Sequence, residues 1–102
     1  MPSKAKVDRG FWNRADAHID LANEHCEKIG KGRVSASFLY AASRFNAFVV
    51  ASATPSAVAL KAAKAEALEY FTDQFRKMLD ENLDDHIKHF KKYTGRKATG
   101  DA

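Results

Sequence analysis

The chain has 102 residues, of which 45% are hydrophobic and 29% charged, and its formal net charge is +4 at pH 7. That length holds one small domain and excludes a cofactor domain beside a substrate domain. The balance of apolar and charged residues is that of a globular chain rather than a disordered one, and five Gly and two Pro are too few for a turn-rich β-sandwich.

The charge is unevenly spread. Residues 1–10 carry +2 and residues 88–102 carry +4, so the body from 11 to 87, with nine basic and eleven acidic residues, is −2. The chain therefore reads as a single helical domain over about 10–93 between a basic tail at 1–9 and another at 94–102. Basic tails can neutralise phosphates, which makes nucleic-acid binding an alternative function. They lack an Arg-rich run, however, and solubilising ends are the commoner use of such segments. Cys26 stands alone, which excludes an internal disulfide and any multi-cysteine metal site. The first residues have no apolar core segment of a secretory signal. Val34 to Val58 carries only Arg44 but is rich in Ser and Ala and holds Pro55, too weakly apolar a composition for a membrane span. The expectation is a cytoplasmic protein without membrane contact.

The first predicted element is a helix over about 10–29. Trp12, Ala15, Ile19, Ala22, Cys26 and Ile29 recur at spacings of three and four, one apolar seam of a helix. Asp8 is the expected N-cap, and Gly30 fits a residue of positive φ that ends the helix. Gly30 to Arg33 reads as a flexible connection. A second helix is expected over about 35–53, with two apolar seams: Phe38, Ala41, Phe45 and Phe48 on one side, Leu39, Ala42, Val49 and Ala53 on the other. A helix apolar on most sides must touch more than one neighbour, so this one is expected to be central. Thr54 and Pro55 then read as the N-cap and first position of a third helix over about 55–80. The helical pattern continues to Tyr93 without Gly or Pro, which as one rod would be about 57 Å long. A break in the run Asp80–Asp85 is expected, with Asn82 or Asp84 capping a fourth helix over about 83–93. The fold class is all-α: three principal helices and a probable fourth in a small helical bundle.

Few residue patterns carry chemistry. His86 and His89 share one helix face and His18 and His25 another, so a zinc or nickel site could be assembled from them. Solvated surface histidines explain the same pattern, and no metal or other cofactor is expected. Cys26, on the apolar seam, reads as a small buried hydrophobe. Gly30-Lys31-Gly32 lacks the strand that a phosphate-binding loop requires. Asp84 and Asp85 read as caps. Arg44, the one charge in the body of the second helix, needs solvent or a carboxylate, for which Asp16, Asp20, Glu69 and Asp73 are candidates. Its alternative role is an anion-binding or partner-binding cleft with Tyr40 and Asn46.

Phe11-Trp12 with Ala15-Asp16, Leu21-Ala22-Asn23, Val34-Ser35-Ala36, the block from Phe38 to Phe48, Met78-Leu79 and Glu81 to Asp85 together resemble a small bacterial domain-of-unknown-function family, over about residues 11–90. The resemblance implies a compact helical protein and supplies no catalytic residues. The residues favour a non-enzymatic protein that acts through self-association or a protein partner, because seven Phe, three Tyr and one Trp exceed what three short helices readily hide. Trp12, Phe90 and Tyr93 are the candidate interface.

Overall fold

A computed structural model describes residues 7–96. The order is α1 (Phe11–Ile29), α2 (Lys31–Ser52), α3 (Ala57–Lys88) and α4 (Phe90–Thr94), and the described residues contain no strand. The chain divides into two units at Ala63/Lys64. The first holds α1, α2 and the opening turns of α3; the second holds the rest of α3 and α4. The expected tails lie in part at 1–6 and 97–102, outside the described residues.

In the first unit α1 and α2 pack against each other. Gly30 makes the reversal between them with φ +90°, a conformation open to Gly and strained for other residues. Its N–H closes α1 on the Cys26 carbonyl, and its own carbonyl accepts from Val34 N–H at the start of α2. The connection is therefore a single residue and α2 begins at Lys31, four residues before the expected start. Gly32 lies in the first turn of α2, where its backbone-entropy cost of about 1 kcal/mol is too small to hold the helix off. The α1 side facing α2 is Phe11, Ala15, Ala22 and Cys26, all half-buried. Val34, 3% exposed, is the one buried residue among those described. Small Ala and Cys side chains let the two helices approach but shield little apolar surface.

The entry to α1 differs in detail from expectation. Asp8 accepts from the Gly10 N–H and holds Arg14 through two side-chain bonds of 2.8 and 3.0 Å, while Gly10 occupies the cap position. That Arg14 hydrogen bond is the main reason the Asp8 carboxyl sits below its ordinary pKa. Between α2 and α3, Thr54 donates back to the Val50 carbonyl and so finishes α2, whereas Ser56 accepts from the Ala59 N–H and caps α3. The cap is Ser56, not Thr54.

The second unit carries the larger correction. α3 runs unbroken for 32 residues through Asp80–Asp85, about 48 Å at the α-helical rise. The polar side chains in that run bond within the helix instead of capping a new one. Asn82 Nδ2 donates to the Met78 carbonyl, one turn back, at 2.9 Å, and His86 Nδ1 lies 2.7 Å from the Asn82 carbonyl. With no Gly or Pro, nothing there costs enough to end a helix. The chain bends at His89, with φ −116° and ψ 38°, and Gly95 closes α4 in the left-handed region.

Candidate functional site

Both seams of α2 are largely exposed. Val34 is buried against α1, whereas Phe38, Leu39, Phe45 and Phe48 stand exposed; Phe45 and Phe48 are each 65% accessible. Between α1 and α2 an open groove of about 640 Å³ is formed by His18, Leu21 and His25 on one wall and by Val34, Phe38 and Phe45 on the other. Ala41, Ala42 and Ser37 pave its floor. Ser37 turns its hydroxyl onto the Arg33 and Val34 carbonyls, which leaves a smooth apolar surface. The groove has the chemistry of a docking surface: aromatic walls, small floor residues and few polar groups.

The triplet Arg44, Tyr40 and Asn46 is not brought together. Asn46 borders the groove and is half-buried. Arg44 lies about 160° around the helix from it, on the exposed side with Tyr40. No ion pair joins Arg44 to Asp16 or Asp20, and Asp73 pairs with Lys77 at 3.0 Å within α3. Arg44 is satisfied by solvent. A guanidinium beside exposed Tyr40 and the Phe45–Phe48 pair, whose ring centroids are 6.5 Å apart, marks the groove's basic flank.

The residues proposed as an interface have definite local roles. Trp12 is 42% exposed and packs edge-on against Phe11 at 4.7 Å. Phe90 is half-buried beneath the Arg96 guanidinium, 5.3 Å from the ring centre. Tyr93 folds back on the end of α3. Its hydroxyl donates to Asp85 Oδ2 at 2.6 Å, and its ring stacks on His86 at 4.0 Å. His89 Nδ1 lies 3.1 Å from the other Asp85 oxygen. The Tyr93 hydrogen bond, followed by that of His89, holds the Asp85 carboxyl below its usual pKa, and the same bond raises the Tyr93 phenol. This cluster explains the bend: Asp85 holds His89 at it and Tyr93 beyond it, and so ties α4 to α3.

Asp85 is thus a tether rather than a cap, and His86 packs on Tyr93. Among the described residues no three His, Cys, Asp or Glu side chains gather as a metal site. The groove residues Phe38 and Phe45 were visible in the sequence as one of two seams; His18 and His25 were visible as a pair on one face. That α1 leaves both seams largely exposed depends on tertiary packing and has no local signal.

The most apolar stretch of α2 reaches a mean hydropathy of 1.2, so by length and composition alone α2 could cross a membrane. That differs from the exclusion drawn from its Ser and Ala content. Arg44 lies near its middle, where a bilayer would charge about 2.5–3.5 kcal/mol for it.

Fold and groove together define a small all-helical protein built around a helical hairpin with an open apolar side. Its family follows from comparison: residues 11–87 match the model of the family described as "Protein of unknown function (DUF3144)", and the chain belongs to that family. It is similar to the Shewanella sp. protein NB7890A, known from an NMR structure, with 34% identity and a TM-score of 0.71. The match covers 89% of this chain and 98% of that one. No curated protein matches the chain significantly.

Proposed function

We propose that this protein is a non-enzymatic association module whose apolar helix faces are completed by another polypeptide. The observation that carries this reading is the exposure of Phe38, Phe45 and Phe48 along one side of α2, next to an open groove and with Val34 alone buried among the described residues. Exposed contiguous apolar surface of this kind marks protein interfaces. Large aromatic anchors beside small residues are the composition of an interface centre.

Size-exclusion chromatography with light scattering tests the reading. A mass above one chain, falling to one chain in Phe45→Asp, supports it. A monomeric wild-type protein that retains its helicity at micromolar concentration and captures no partner sinks it. The 260/280 nm absorbance of the same peak examines the rival use of the basic tails, since co-eluting nucleic acid released by salt would point there.

A further inference from the structure

The groove of the first unit and the outer part of α3 are complementary in three respects. The first is length. The groove follows α2 from Val34 to Asn46, about 18 Å, and the exposed row Leu68, Phe75, Leu79 and Leu83 extends about 22 Å along α3. The second is charge. α2 holds Lys31, Arg33 and Arg44 and no acidic residue, whereas residues 66–85 hold seven acidic residues against Arg76 and Lys77. The third is area. Taking about 200 Å² for a whole aromatic side chain, the exposed fractions of Phe38, Phe45, Phe48 and Phe75 amount to about 440 Å² per chain. Leu21, Leu68, Leu79 and Leu83 add roughly 50 Å² each. For two chains the total exceeds the 1,200 Å² or so at which stable interfaces begin.

We propose that the α1–α2 groove receives α3 from a second copy of this chain, so that two copies exchange helices about a twofold axis. This rests on the association reading above and names the partner. Each chain carries one basic-flanked groove and one acidic-flanked apolar helix, so an isologous pair fills both grooves and covers both rows, leaving neither set unmatched. The exchange also explains why α2 carries phenylalanines at Phe38, Phe45 and Phe48 while the α1 residues that face it are, after Phe11, only Ala15, Ala22 and Cys26: the bulk is directed at the incoming helix. His18 and His25 face it from the opposite wall and offer ring N–H donors toward the acidic flank of α3.

Site-directed cross-linking tests the arrangement. In a Cys26→Ser background, one chain carries Ala42→Cys in the groove and a second, distinguishable by an affinity tag, carries Phe75→Cys on the row. The chains are mixed, equilibrated and oxidised, and their helicity is checked by circular dichroism. Leu79→Cys replaces Phe75→Cys should the latter unfold. The expected result is a mixed disulfide in about tenfold excess over either like-with-like disulfide, because proximity in the dimer raises the effective thiol concentration. A wild-type dimer without that mixed bond would overturn the helix exchange and leave association through another face standing. A monomer would overturn both, as would recovery of the chain only with membranes. An intrachain bond in the doubly substituted monomer would assign the groove to the same chain's own helix and end the second-copy proposal.

Discussion

Phe45→Ala offers the sharpest measurement, because the residue is exposed in the single chain and would be covered in an assembly. At 65% accessibility it presents about 130 Å² of apolar surface. At 25 cal/mol per Å² this corresponds to about 3 kcal/mol per side chain on full burial, of which alanine retains a fraction. A twofold assembly contains the site twice, so the loss is about 5 kcal/mol per dimer, or roughly a thousandfold or more in the dissociation constant. Sedimentation velocity over a dilution series reads that change directly. The stability of the isolated chain should move little, since in it the ring touches few neighbours. A dissociation constant within threefold of wild type, with a clearly lowered unfolding midpoint, would show that the ring belongs to the chain's own core and would refute the reasoning.

Four further outcomes follow from the local geometry. Gly30→Ala should destabilise by about 1–3 kcal/mol in chemical denaturation, because φ +90° is strained for alanine although nothing lies within 4 Å of its Cβ. Gly32→Ala, in an α-helix with equally open space, should instead stabilise by about 0.5–1 kcal/mol, and loss of stability there would contradict the early start of α2. Tyr93→Phe removes the main group depressing Asp85, so the Asp85 carboxyl should titrate closer to its ordinary value by carbon-detected NMR; an unmoved titration would dissolve the proposed tether. Because the folded pKa of Asp85 is lowered, the tether is intact above the ordinary carboxylate range and is lost as pH falls through the depressed value. Tyr93 is raised, so its contribution is intact below the ordinary phenol value near 10 and is lost as pH rises through the raised one. Amide exchange at α4 should therefore quicken at both extremes, and flat exchange across them would refute this.

What could be read from the residues depended on whether the deciding interaction was local. The limits of α1 came within one residue, because a clean seam and a following glycine are local signals. The entry to α2 was misplaced because Gly32 looks like a breaker, yet its entropic cost of about 1 kcal/mol does not stop a helix. The acidic run at Asp80–Asp85 looks like a cap site, yet Asn82 and His86 bond one turn back and support the helix they were expected to interrupt. The bend at His89 depends on Tyr93 reaching eight residues back to Asp85, a contact with no periodic signature. Arg44, Tyr40 and Asn46 were grouped by nearness in sequence, whereas the helical turn puts Asn46 on one border of the groove and Arg44 outside the lining on the opposite flank. The open groove belongs to packing: two seams on α2 were legible, and the placement of α1 buries Val34 at the foot of one while Phe38, Phe45, Leu39 and Val49 of both stay exposed.

Val34, the single buried side chain among the described residues, bears on how this protein would respond to dilution. Most helical stability in proteins comes from tertiary packing of an apolar face, and one buried valine contributes on the order of 2 kcal/mol. If most apolar surface is covered only between chains, folding and assembly are one equilibrium, with protein concentration as a term in it. The melting temperature should then climb with concentration, and ellipticity should fade on simple dilution in buffer without any denaturant. Cellular abundance would set the folded fraction, so a drop in synthesis would expose the chain to proteases more steeply than in proportion.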